Sequence, residues 1–203
     1  MNRTSWIVVA AACVVAVSLR LIDNPYMNFS ALGALAVLCG AVVRPAWLGI
    51  LIPLGCRVLT DVVIQTESGG GMYSSWMFVY AAYVAIFALG RWIQPKHLPA
   101  AFGTGLLSGA AFFLITNFGE WYMPYEAGQY MYARTFSGLT TCFVKAIPFA
   151  RGTFFGDVGF SVLFIGTMQL LASPLRNNSA ASAETASIDA LSYQLTSSES
   201  PGQ

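Results

Sequence analysis

Residues 146–157 read AIPFARGTFFGD. An arginine and an aspartate stand here beside a proline and two glycines, at the start of the last apolar run of a chain poor in charge. Each of these residues is costly against lipid. The stretch is therefore either a joint between two segments or part of a site, and the organisation of the C-terminal half turns on which. Pro148 disfavours helical geometry in the residue before it, so the reading is a covering segment that stops there. Gly152 then allows a tight reversal, Thr153 caps the final helix, and Asp157 lies in its first turn, where the helix dipole favours a negative charge. Arg151 is the anomaly, a cation just outside a helix N-terminus. It needs an anionic neighbour: Asp157 as a clamp on the joint, Glu120, or a bound anionic group.

Working outward, apolar runs appear at approximately Ser5–Leu21, Phe29–Val43, Trp47–Ile64, Ser75–Ile93, Leu98–Phe118 and Phe154–Ala172. Hydrophobic residues make up 56% of the 203, charged residues only 9%, and mean hydropathy is +0.63. Soluble domains carry about 25% charged residues, and a membrane-spanning helix needs about 20 apolar ones. The expected fold is all-α, an integral membrane bundle of six transmembrane helices over 1–172 with a long aromatic fifth loop. The polar, Ser/Ala-rich segment 173–203 cannot bury a core and is expected to be a disordered C-terminal tail. The N-terminal run has no clear small-x-small cleavage site and reads as the first span rather than a signal peptide.

An even number of spans puts both termini on one side. Arg3, Arg44, Arg91, Lys96 and Arg176 fall on that side, making it cytoplasmic by the positive-inside rule, so a multi-pass protein of the cytoplasmic (inner) membrane is expected. A net charge of +1 points to no nucleic-acid partner. Cys13, Cys39, Cys56 and Cys142 show no CxxC spacing, and His97 is the only histidine, so neither a metal nor a cofactor site is expected. ESGGGMY at 67–73 comes without any phosphate-binding loop and reads as a flexible connection.

Charge inside the spans is the next signal. Arg57 and Asp61 lie four residues apart on one helix face, and a mid-membrane arginine costs about 2.5–3.5 kcal/mol even on a gentle insertion scale. They form either a neutralised structural pair or a polar floor beneath a ligand cavity. Arg20, at the end of the first span, reads as snorkelling to the interface. Ala101, Gly105 and Gly109 form a small-residue stripe suited to close helix packing, as do Ala36 with Gly40 and Ala12 with Ala16. The segment from Gly119 to Gly152 is too long for a simple connection and carries Trp121, Tyr122, Tyr125, Tyr130 and Tyr132. Its apolar part, TFSGLTTCFVKAI, reads as a partly buried helix or re-entrant cover.

TNFGEWYMPY at 116–125, followed at a distance by AIPFARGTFFGDVGFSVLF, resembles the end of the substrate-binding membrane subunits of energy-coupling-factor transporters. Asn117–Phe118 would close the fifth span, Pro124–Tyr125 stand in the loop, and Pro148–Phe149 with Arg151–Gly152 open the sixth. The chain resembles still more closely an uncharacterised family of small bacterial membrane proteins. The matching residues are Asn28, Phe29, Gly33, Ala34 and Ala36; Thr116, Asn117, Phe118 and Trp121; and Pro148, Phe149, Arg151, Thr153, Gly156 and Asp157. Gly152 stands where that pattern has asparagine.

The transporter resemblance implies a ligand pocket on the outer side, lined by the first and fifth loops and the last three helices. It also implies that Ala12 and Ala16 contact a transmembrane coupling subunit, with ATPase subunits completing the assembly. The expectation is a substrate-binding subunit that captures a small organic, vitamin-like nutrient. Trp121, Tyr125 and Tyr132 would enclose it, and Asn28, Asn117, Arg151 and Asp157 would hold its polar edge. The alternative is a non-catalytic membrane scaffold whose polar residues only hold the bundle together. An intramembrane enzyme is not expected, since no nucleophile–base pair or metal cluster stands out, and no inverted repeat suggests a secondary transporter.

Overall fold

The structure is a computed structural model that describes residues 3–22, 28–68, 74–125 and 128–198, with side chains described as far as Leu171. It is all-α. The helices are α1 (Arg3–Leu21), α2 (Leu32–Val42), α3 (Ala46–Ser68), α4 (Trp76–Ile93), α5 (Leu98–Tyr122) and α6 (Phe136–Ser198). Five of them are long and apolar enough to cross a membrane, α6 through its portion Phe136–Leu171. The protein is thus membrane-embedded.

The expectation of six spans needs correcting at α2. Its 11 residues reach only about 16 Å at 1.5 Å per residue, against a hydrocarbon core of about 30 Å. Every residue from Leu32 to Gly40 is buried. A helix apolar all round is surrounded either by lipid or by protein, and here the surroundings are protein. The close approach is backbone to backbone: a Cβ on Gly40 would lie 2.3 Å from the Phe87 carbonyl oxygen of α4, and one on Gly90 would lie 2.3 Å from that of Val37.

The second correction concerns the stretch at 146–157. No break occurs at Pro148. The fifth helix runs on to Tyr122, a connection follows, and α6 is continuous from Phe136 through Pro148 and onward. Gly152 makes no reversal and Thr153 caps nothing. A proline inside a helix forfeits one hydrogen bond, but a backbone in lipid has no other way to satisfy its remaining polar groups than to stay helical. Pro53 is carried inside α3 in the same manner. Beyond the apolar portion, the backbone of α6 stays helical to Ser198, where composition alone suggests disorder.

Ala101, Gly105 and Gly109 form the seam on which α6 lies against α5. A Cβ on Gly105 would come within 2.7 Å of the Val158 Cα, and one on Gly109 within 2.9 Å of the Phe154 ring. Ala12 and Ala16 are fully buried. They let α1 pack within the bundle and are not exposed to a partner, contrary to the role the transporter resemblance implies for them.

Candidate functional site

A cavity of about 400 Å³ lies inside one end of the bundle. The C-terminal end of α1, the segment leading into α2, the N-terminal end of α4 and the C-terminal part of α5 all reach it, as expected for helices that alternate in direction. Its two long walls are helix faces. Phe112, Phe113, Thr116, Asn117 and Glu120 of α5 line it, a set at i, i+1, i+4, i+5 and i+8 that falls on one side of a helix. Ala146, Phe149, Ala150, Thr153 and Asp157 form the facing wall from α6, at i, i+3, i+4, i+7 and i+11.

Arg57 and Tyr83 complete the wall at α3 and α4. The guanidinium carbon of Arg57 is 6.0 Å from the Tyr83 ring centroid, and that ring meets Phe112 at 5.5 Å. Arg57 Nε donates to Asp61 Oδ2 at 2.8 Å, and the Tyr80 hydroxyl donates to the same oxygen at 2.8 Å. Arg20 Nη2 donates to the other oxygen, Asp61 Oδ1. One buried carboxylate thus ties α1, α3 and α4. Arg20, read from sequence as snorkelling outward, instead turns inward to Asp61 and borders the cavity.

Asp157 sits at the opposite wall, 3% exposed. Its carboxylate accepts from Ser108 Oγ and from the backbone N–H of Ala34, in the first turn of α2. That turn lacks a side-chain bond from its own N-cap residue, Ala31, although Ser30 Oγ accepts from Leu32 N. Asp157 therefore satisfies from another helix one of the orphan donors of a buried helix N-terminus, with the dipole in its favour. Gly156 and Gly33 make room for this: a Cβ on Gly156 would lie 2.4 Å from the Ser30 carbonyl oxygen, and one on Gly33 would lie 2.2 Å from Asp157 Oδ1. The aspartate noted in AIPFARGTFFGD belongs to the joint and to the cavity at once.

Two further expected residues reach the cavity. Asn28 stands at its rim with φ 60°, a left-handed backbone that asparagine tolerates. Asn117 also lines it, while its Nδ2 donates to the Phe113 carbonyl of its own helix at 2.7 Å. Glu120 accepts from the Ser75 hydroxyl at 2.7 Å. Among the described residues no group of three or more His, Cys, Asp or Glu side chains is placed to hold a metal ion.

The chain belongs to DUF6580, a family of unknown function. The family match spans residues 1–181, so it includes every residue around the cavity. No curated protein matches the chain.

The remaining expected site residues of this family member lie elsewhere. Arg151 is exposed. At 100° per residue it points about 140° away from the α6 stripe, because the helix never breaks at Pro148. No Arg151–Asp157 ion pair forms; the salt bridges among the described residues both go to Asp61. Trp121 instead donates its indole N–H to the Ala133 carbonyl at 2.9 Å. Tyr125 is exposed, and its backbone N–H bonds Gln129. Tyr132 lies under Lys145, whose Nζ is 5.9 Å from its ring centroid, and partial burial pushes its phenol above the ordinary value.

These rings serve the connection between α5 and α6. Arg134, not singled out from sequence, is held over Trp121, Tyr122 and Tyr130 at 4.9, 4.6 and 4.8 Å, and its Nη1 donates to the Tyr122 carbonyl. The readable signal for the actual site was the spacing of Thr116, Asn117 and Glu120 beside Phe112 and Phe113, polar residues on one face of an apolar helix.

Proposed function

We propose that the protein captures a small organic molecule in this cavity and acts as a substrate-binding subunit in membrane transport. The observation that carries the reading is a cavity of about 400 Å³, within the 300–1,000 Å³ typical of small-molecule sites. Its walls combine the Phe112, Phe113 and Phe149 rings with the polar edges of Thr116, Asn117 and Thr153. A bundle that needed only to hold together would fill such a space, since interiors are close-packed.

The finer reading is a subunit of the energy-coupling-factor type that takes up a vitamin-like nutrient on the outer side of the cytoplasmic membrane, with coupling and ATPase subunits as partners. It is supported by the motif around Asn117 and by the absence of a phosphate-binding loop in the sequence. Burial of Ala12 and Ala16 removes the surface first expected to meet a coupling subunit, so such a partner would dock elsewhere.

A scaffold role is favoured by one observation: Asp61 and Asp157 each tie several helices together. The two readings separate in one experiment. The protein is purified in lipid nanodiscs, and native mass spectrometry searches for a bound small molecule. Capture predicts an adduct in the native protein and its loss in Ala146→Trp, which fills the cavity, with the unfolding temperature little changed. An adduct-free protein that also shows no thermal shift across a panel of small organic solutes would leave the scaffold.

A further inference from the structure

Resting on the reading that the cavity takes a small organic molecule, we infer that its ligand is an organic cation: an ammonium group on an aromatic or otherwise apolar body, anchored at Asp157. The charges around the cavity divide into two groups. On one side, the guanidiniums of Arg20 and Arg57 both bond the carboxylate of Asp61. On the other, Asp157 and Glu120 line the cavity, and among the described residues neither is in a salt bridge.

The partners of those two carboxylates are neutral: Ser108 Oγ and the Ala34 N–H for Asp157, and the Ser75 hydroxyl for Glu120. The α2 dipole offers Asp157 about half a unit of positive charge, less than a full counter-charge. A carboxylate that ionises in a buried place without one does so at a cost, and an incoming ammonium would supply it.

The two carboxylates mark the ends of a path. Asp157 sits level with Ser108, twelve residues before Glu120 on α5, so about 18 Å separates the two levels along the helix axis. Glu120 would meet a cation near the mouth and Asp157 would hold it at depth. Between them stand Phe112, Phe113, Phe149 and Tyr83. Aromatic faces attract ammonium groups, more strongly where water is excluded, and also accept an apolar body.

The test uses the full chain in nanodiscs and three aromatic probes of matched size: benzylamine, benzyl alcohol and benzoate, each corrected for uptake by empty discs. Benzylamine is expected to bind at least about tenfold more tightly than either of the others, about 1.4 kcal/mol. Asp157→Asn keeps an oxygen acceptor for the Ala34 N–H and is expected to erase that preference. Should that variant not fold, Ala150→Lys reads the same point: the lysine places a cation on the cavity stripe and is expected to turn the preference from benzylamine to benzoate.

A native protein that prefers benzoate or benzyl alcohol would overturn the cationic class and leave small-molecule capture standing. Binding of none of the three would overturn both. A preference for benzylamine that survives both Asp157→Asn and Ala150→Lys would remove Asp157 as the anchor.

Discussion

Asp157 on α6 occupies the space that a side chain on Gly33 of α2 would need, its Oδ1 2.2 Å from where that Cβ would stand. The two residues join the long last helix to the short buried one, and the carboxylate satisfies an N–H in the first turn of α2 while doing so. This contact decides what the polar residues of the last helix are for. It places a charge at depth, beside the cavity, without breaking α6.

Gly33→Ala follows directly from that contact. The added methyl can be accommodated only if the Asp157 carboxylate leaves Ser108 and Ala34, its hydrogen-bond partners. Overpacking of this kind costs about 1–3 kcal/mol. The expected result is a lower unfolding temperature in detergent, with Gly33→Ala in an Asp157→Ala background less damaging than the sum of the two changes. Additive effects would show that the contact is not shared.

Gly40→Ala and Gly90→Ala meet backbone rather than a side chain, at 2.3 Å from the Phe87 and Val37 carbonyl oxygens. Backbone cannot rotate aside, so α2 and α4 must separate and open a gap along a fully buried seam. Each substitution is expected to destabilise at least as much as Gly33→Ala, at the upper end of the same range of about 1–3 kcal/mol or beyond. Gly55→Ala and Gly103→Ala, where a Cβ would find nothing within 4 Å, serve as controls. They should be neutral or gain slightly, since glycine is a poor helix former.

Asp61→Asn removes the carboxylate shared by Arg20, Arg57 and Tyr80. Breaking a buried ion pair by deleting one partner costs about 3–5 kcal/mol, because the remaining charge stays buried. Tyr80→Phe deletes only a hydrogen bond to a charged acceptor, worth about 1.5–3 kcal/mol at most. Thermal unfolding in detergent should rank Asp61→Asn well below Tyr80→Phe, and a reversed order would mean that Asp61 is not the centre of the tie.

Much of the bundle was legible because lipid imposes a simple rule: long apolar runs become helices. α1, α3, α4 and α5 could be read that way, as could the pairing of Arg57 with Asp61 at four-residue spacing. The rule is blind to the difference between burial in lipid and burial in protein, which is why α2 passed for a span. A separate, local rule, that proline disfavours helical geometry in the residue before it, gave Pro148 the power to end a helix, and the need of a backbone in lipid to satisfy its polar groups overrides it. From that single break followed the misplacement of Arg151 and the expectation that Trp121, Tyr125 and Tyr132 cover a pocket. Asp157 and Asn117 kept their place at the cavity because each lies on a helical stripe whose phase does not depend on the break.

Arg134→Ala tests what those aromatic residues do instead. The guanidinium lies over three rings and bonds a backbone carbonyl, on an exposed connection. At exposed sites a cation–π contact contributes about 0.5–1 kcal/mol, so global stability should fall only slightly. Hydrogen exchange of the backbone between Met123 and Thr135 should rise, and Trp121 fluorescence should change. Exchange unaltered across that connection would show that the ring contacts do not order it.

Arg151 separates the continuous helix from the broken one most sharply. On a helix that stops at Pro148, its guanidinium would turn inward to Asp157 or a ligand, and Arg151→Ala would cost stability and abolish capture. On the continuous α6 it is exposed and about 140° from the cavity stripe, where substitutions usually stay within about 0.5 kcal/mol. Arg151→Ala is therefore expected to leave unfolding temperature and small-molecule binding essentially unchanged, while Thr153→Arg, two residues on and inside the cavity, should block binding. A spin label at position 151 supplies the independent reading: it should be mobile and accessible to a lipid-soluble or aqueous quencher. An immobilised, quencher-protected label would put the break back at Pro148.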